Sequence, residues 1–281
     1  MKLVVRLFFL SLILVSTWAC GKDKDYLITV STRHGEIKMI LFDDTPEHKN
    51  NFIALAEEGR FDSTNFHRVI KDFMVQGGDV FGKEGLPAQE WPTLPAEIRT
   101  NHIHLKGMMA AARQGDTVNP QKRSNGSQFY IVQGETYEEL ELTTDFTALQ
   151  KAIFQYMQLA SQQALKEEYA RLYAEEKFDS LTSLVLSKRD EIAKTLNLKL
   201  TKDYTPEQIK AYAEIGGTPH LDFEYTVFGQ VLSGMEVVEK IAAEPTTREV
   251  PNDPVFMRVK VEKVSRKKIE KEFDYVYPPS N

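Results

Sequence analysis

Three short stretches of the 281-residue chain carry side chains that could do chemistry. The first is Phe66-His67-Arg68-Val69-Ile70-Lys71-Asp72-Phe73-Met74-Val75-Gln76-Gly77-Gly78-Asp79. The second is Asn125-Gly126-Ser127-Gln128-Phe129-Tyr130-Ile131, and the third runs from His220-Leu221-Asp222 into Tyr225-Thr226-Val227-Phe228-Gly229. Arg68 is always protonated and presents a planar fork of donors, which suits it to polarising an acceptor. Read in isolation it would be an ion-paired surface arginine, and Phe73, Met74, Tyr130 and Leu221 would be core. His34, His48, His67, His102 and His104 make no convincing metal constellation, because no carboxylate or thiol stands at ligand spacing. His102 and His104 alternate, which on a strand would put them on one face. No metal or cofactor is expected.

These residues need elements to hold them. Tyr26–Val30 and Ile37–Leu41 are β-rich and flank a turn at Gly35, which reads as a hairpin. Thr45-Pro46 opens a helix, with Thr45 as N-cap, Phe52, Ile53, Leu55 and Ala56 as its apolar face, and Gly59 at its end. Short strands follow around 66–69, 74–76, 108–111 and 129–132, a texture of barrels and sandwiches. Between Glu135 and Gly217 the pattern turns helical. Phe146, Leu149, Ile153, Tyr156 or Met157, and Ala160 form one stripe, continued by Leu165, Tyr169, Leu172 and Tyr173. A second helix is expected over 181–196. A third has Thr205 as N-cap, Pro206 at its first turn, Gln208 as capping-box partner and Gly216-Gly217 as its stop. Strand character returns at 225–229, then a helix around 235–242 and a strand around 255–264. A β-rich domain is thus interrupted by a helical excursion, which closure entropy tolerates because it grows slowly with loop length.

In order, the three stretches resemble the signature blocks of the cyclophilins, over about residues 26–134 and 218–264. The resemblance implies a mainly β fold, a closed eight-stranded antiparallel barrel capped by two helices, here with an α-helical insertion over 135–217. It implies peptidyl-prolyl cis–trans isomerase activity on X–Pro bonds, whose rotation barrier is roughly 18–20 kcal/mol. No bond breaks, so no nucleophile is required. A hydrogen bond donated to the prolyl nitrogen would localise its lone pair and weaken amide resonance, and Arg68 matches the family's catalytic arginine. A 10⁵-fold acceleration would need roughly 7 kcal/mol. Phe73, Met74, Tyr130 and Leu221 match positions lining the proline pocket. Gln76 and Gln128 match residues that orient the substrate backbone or hold Arg68. Ala112 and Arg113 match the segment beside the bound peptide. Tyr130 replaces the usual phenylalanine, His220 a frequent tryptophan and Tyr225 a frequent histidine. The loss of the tryptophan implies weak cyclosporin sensitivity with activity retained.

The first twenty residues set the location. Lys2 and Arg6 precede an apolar run over 7–15, then small residues and Cys20, the layout of a secretory signal peptide over 1–19. Cys20, the only cysteine, cannot form an internal disulfide. Flanked by Ala19 and Gly21, it resembles the lipobox of bacterial lipoproteins, although Thr17 stands where leucine is usual. Residues 20–25 would then be a lipidated tether, and the protein a monomer anchored in the bacterial envelope, periplasmic or outer-membrane facing. The chain is 42% hydrophobic and 27% charged, an ordinary globular composition. With net charge −6 and one short basic run, Arg266-Lys267-Lys268, it is not built for nucleic acid. Its partners would be proline-containing, unfolded or flexible polypeptides and the membrane. Two other readings stay open: a non-catalytic peptide-binding or chaperone lipoprotein, and an envelope protein whose helical insertion is the interaction surface. Residues 265–281 form a tail without an assigned role.

Overall fold

A computed structural model describes residues 23–278. The expected signal peptide and Cys20 lie outside the described residues. The chain forms two compact units. One runs to Gln133 and resumes at His220, and the other is Gly134–Pro219.

The first unit contains eight described strands of four or more residues: β1 (Lys24–Thr32), β2 (Gly35–Leu41), β3 (Asn65–Ile70), β4 (Met74–Gly77), β5 (Met108–Arg113), β6 (Ser124–Val132), β7 (Val227–Ser233) and β8 (Arg258–Ser265). Helices α1 (Pro46–Glu57) and α2 (Met235–Ala242) belong to the same unit. Along the sheet the order is Val255–Phe256, β3, β4, β6, β5, β7, β2, β1, β8, with Thr93–Leu94 added beside β6. The pairs in this path are antiparallel.

The expected closed barrel is not formed; the sheet is curled and open. Its hydrogen-bonded path has two ends, Val255–Phe256 on β3 and β8 on β1. Those ends are neighbouring segments of one chain separated by Met257, which bonds to Thr64 O and accepts from Ser63 N. The chain itself crosses from one edge to the other, and no ladder joins them.

Alternation along the strands divides the side chains by face. Ile28, Val30, Ile37, Met39, Val75, Met109, Phe129 and Ile131 fill the inner core, together with Phe52 and Ile53 of α1 and Val237, Val238 and Ile241 of α2. Each fully buried side chain of this kind is worth about 1.5–3 kcal/mol. Residues of the opposite parity, Met74, Ala110, Tyr130, Val132 and Val227, form a second cluster on the other face.

Thr45 precedes α1 as expected, but its hydroxyl donates back to Phe42 O at 3.3 Å. The helix end is satisfied instead by Glu97, whose carboxylate accepts from Glu47 N (3.2 Å) and His48 N (3.0 Å). The same carboxylate meets His48 Nδ1 at 2.7 Å, and His48 Nε2 meets Ser124 Oγ at 2.9 Å. Burial pushes the His48 imidazole below its ordinary value of about 6.5, outweighing Glu97. Burial lowers His67 as well. The unfolded chain therefore takes up protons first as pH falls. Folding stability is expected to be full above about pH 6.5 and to decline as pH drops below it. Melting temperatures from pH 7.5 to 5 test this; a melting temperature that rises toward acid would mean that Glu97 keeps His48 protonated in the fold, and a flat profile would mean that folded and unfolded chains take up protons alike.

β1 begins two residues before the expected Tyr26, so Lys24 and Asp25 are strand rather than tether. The expected tail is also structured. Helix α3 (Arg266–Phe273) is capped by Ser265, which accepts from Lys268 N, and buries Ile269. Arg266 pairs with Asp43.

The second unit is helical: Glu139–Leu142, Phe146–Tyr156, Gln163–Ala174, Phe178–Ser187, Arg189–Leu196 and Pro206–Glu214. The helix expected over 181–196 is broken at Lys188. The capping box of Thr205 and Gln208 is formed. Leu149, Ile153, Tyr156, Ile192 and Leu200 make its core, whereas Phe146 and Tyr173 of the expected stripe are exposed. At its base Glu135 bridges Gly217. Gly134 (φ +63°) approaches Gly217 so closely that a Cβ would lie 2.5 Å from the Gly217 Cα, which only glycine permits. Among the described residues no helix is long and apolar enough to cross a membrane.

Candidate active site

Strand register assembles the site. Arg68 pairs with Gln76, Gln76 with Tyr130, Tyr130 with Ala110, and Ala110 with Val227. Directly paired residues share a face. Five strands therefore carry these side chains onto the outer face of the sheet, away from the inner core. Phe73 precedes Met74 at the β3–β4 turn, where Asp72 has φ +61° and its amide donates to Gln133 Oε1 at 2.6 Å.

This face carries a cleft of about 590 Å³. Arg68, Phe73, Met74, Gln76, Ala112, Arg113, Gln128, Tyr130, Leu221 and Tyr225 all line it. His220 stacks on Phe73, with ring centroids 5.3 Å apart. The eleven residues singled out in the sequence thus come together. The cleft also takes in Trp91, Thr93, Val118, Arg123 and Asn125, which the sequence reading left out. Trp91 lies in a loop, and its indole donates to Leu86 O, a contact no local pattern announces.

The polar partners differ in detail from expectation. Gln76 Nε2 donates to Gln128 Oε1 at 3.0 Å, so the two amides hold each other. Arg68 Nε donates instead to Glu249 Oε2 at 2.7 Å. The side chain of Arg113 is engaged within the protein. It donates to Glu224 O (2.8 Å), pairs with Asp116 (2.6 Å) and lies 4.6 Å from the Tyr225 ring centroid. Its side chain is a strut for Tyr225.

His102 and His104 do not share a strand face; they lie in a loop and take different partners. His102 stacks on Phe42 and bonds to Asp44 at 2.8 Å. His104 is fully buried. Its Nδ1 meets Asp222 Oδ1 at 3.1 Å and its Nε2 meets the Tyr130 hydroxyl at 3.0 Å. With Nδ1–H donating to the Asp222 carboxylate, Nε2 accepts from the Tyr130 hydroxyl. Burial pushes the Tyr130 phenol well above its ordinary value, so it stays a neutral donor. Tyr130→Phe should leave His104 Nε2 buried without its partner and cost about 1–3 kcal/mol of stability. Isomerisation should change by no more than a few-fold, because the ring still floors the cleft. A larger loss of rate at intact stability would mean that the hydroxyl addresses the substrate itself.

Known proteins are similar to this chain over most of its length. The family profile described as "Cyclophilin type peptidyl-prolyl cis-trans isomerase/CLD" matches residues 27–162 and 195–266, reaching further into the helical unit than the signature blocks do. A protein of Streptococcus pyogenes serotype M6 named as a bifunctional phosphatase/peptidyl-prolyl cis-trans isomerase is 29% identical over 82% of this chain, which spans 37% of that protein's length. A Staphylococcus haemolyticus protein named as a peptidyl-prolyl cis-trans isomerase is 27% identical over 79% of this chain and 82% of its own length. Among solved structures, a Cryptosporidium parvum cyclophilin type peptidyl-prolyl cis-trans isomerase aligns over 85% of this chain and 97% of its own, at 18% identity and TM-score 0.49. The chain belongs to the cyclophilin-type peptidyl-prolyl cis–trans isomerases.

Proposed function

We propose that this isomerase accelerates X–Pro rotation in exported polypeptides, as a monomer held to the bacterial envelope through an acylated Cys20. The observation that carries the catalytic part is one cleft in which Arg68 borders an apolar floor of Phe73, Met74, Tyr130 and Leu221. A proline ring on that floor puts its nitrogen within reach of the guanidinium. A donor there competes with amide resonance for the nitrogen lone pair and lowers the barrier without any covalent step. Gln76 and Gln128 receive the peptide backbone beside it, and Ala112 and Arg113 offer main-chain groups along the segment. Substrates are flexible, proline-containing chains. Envelope residence rests on the basic–apolar–small layout that ends at Cys20. In this reading residues 1–19 are removed, 20–23 lead into the first strand, and 135–217 form a client-recruiting arm inserted between the two segments of the β unit.

The test compares the full chain with a form in which a short turn replaces Gly134–Pro219. Turnover of an X–Pro tetrapeptide is expected to be equal, whereas refolding of a proline-limited exported protein slows in the shortened form. Equal refolding by both would remove the recruiting role. Labelling with a palmitate analogue in cells should depend on Cys20, and labelling that survives Cys20→Ala would remove the anchor.

A further inference from the structure

The residue that fixes Arg68 lies far away in sequence. Thr246–Thr247 and Val250–Pro251 form a small hairpin with Thr247 opposite Val250. Its two turn residues are Arg248 (φ 52°) and Glu249 (φ 67°), both left-handed. Two-residue turns of this shape favour Asn and Gly, because other side chains are strained at positive φ. Such strain persists where the surroundings hold it, often beside functional sites. Here the surroundings are Arg68 and its neighbour. Glu249 O accepts from Val69 N at 2.7 Å, and Glu249 Oε2 accepts from Arg68 Nε at 2.7 Å. Arg68 lines the cleft and Glu249 does not. Gln76, the cross-strand partner of Arg68, gives its amide to Gln128.

We propose that Glu249 is the positioning residue for Arg68. By accepting a hydrogen bond from Nε it fixes the plane of the guanidinium and leaves both terminal nitrogens free to donate into the cleft. This deepens the isomerase reading above and rests on Arg68 being the donor. The pair is exposed, with side-chain accessibilities of 42% and 49%, so it adds little to stability. Its effect belongs to orientation, where a small misplacement of a reacting group is costly in rate.

The experiment measures kcat and KM of the full chain on an X–Pro tetrapeptide, with the melting temperature of each variant. Glu249→Ala should lower kcat by about tenfold or more, leaving KM within twofold and the melting temperature unchanged. Glu249→Gln should recover part of the loss, because its amide oxygen accepts the same bond without the charge. In an Arg68→Ala background, Glu249→Ala should have no further effect, as a coupled pair requires. An unchanged or raised kcat in Glu249→Ala overturns the proposal, as does an equal loss in both backgrounds. Wild-type activity in Arg68→Ala would instead sink the assignment of Arg68, and the positioning role with it.

Discussion

Arg68→Ala is expected to slow X–Pro rotation by about 10²–10³-fold, the loss that follows removal of one preorganised donor from a site that stabilises developing charge. That is about 2.7–4 kcal/mol of barrier at about 1.4 kcal/mol per factor of ten. The remaining acceleration would come from the apolar floor and the backbone contacts that hold a twisted peptide. Peptide affinity should fall much less than the rate, because Phe73, Met74, Tyr130 and Leu221 line the cleft independently of Arg68. Stability should hardly move, since Arg68 is 42% exposed and its partner is exposed too. Arg68→Lys should be nearly as slow. Lysine keeps the charge but has no planar fork with which to meet Glu249 and the prolyl nitrogen together. Single-turnover isomerisation beside peptide titration separates the two quantities. A variant that loses binding and rate in equal measure would assign Arg68 to substrate capture.

Lys49→Ala should be among the most destabilising single substitutions in the β unit. The ammonium of Lys49, on α1, meets Asp25 Oδ1 and Asp43 Oδ1 at 2.6 Å each and Leu41 O at 3.1 Å. Asp25 is 3% exposed and Lys49 7%. Removing one member of a buried pair leaves the other charge without compensation, at a cost of about 3–5 kcal/mol. Arg266 Nη2 stands 3.8 Å from Asp25 Oδ2, a partial substitute that puts the expected loss at the low end of that range. For a domain of this size about 3 kcal/mol corresponds to a fall of about 6–12 °C in melting temperature. Asp25→Asn in the Lys49→Ala background should restore part of it, because the stranded charge is gone. Denaturant unfolding of the single and double variants decides. A loss below about 1 kcal/mol would show Arg266 taking over the carboxylate, and adding Arg266→Ala should then expose the full cost.

Much of the fold was legible because its signals are local. Val30 and Ile37 flank a turn that needs Gly35, Pro46 opens α1, and Thr205 with Gln208 closes a capping box within four residues. The cleft residues were legible through the likeness of 66–79, 125–131 and 220–229 to the cyclophilin blocks; read alone, Arg68 would pass for a surface arginine and Phe73, Met74, Tyr130 and Leu221 for core. What escaped depends on distance. Glu97 caps a helix about fifty positions away, a relation no window along the chain contains. Glu249 reaches Arg68 from a hairpin turn of Arg and Glu, which lacks the Asn or Gly that usually marks such turns. His104 looked like a strand neighbour of His102 until its partners, Asp222 and Tyr130, were brought in from elsewhere. Barrel closure was beyond reach for a different reason. Strand pattern records which faces are buried, but not whether the last ladder forms.

The clasp at Gly134, Glu135 and Gly217 bears on how fast the protein can fold. β1 pairs with β8, so the first and last strands of the β unit must find each other across nearly the whole chain. Long-range pairing of this kind slows folding, because the closure entropy must be lost before the contacts form. The helical unit is compact in itself, and Glu135 bridging Gly217 brings its entrance and exit together. Once that unit has formed, the segment from Gly134 to Pro219 no longer counts as slack, and for the search by the strands it is a short link. The insertion thus removes most of its own length from the conformational search that the β-sheet has to complete.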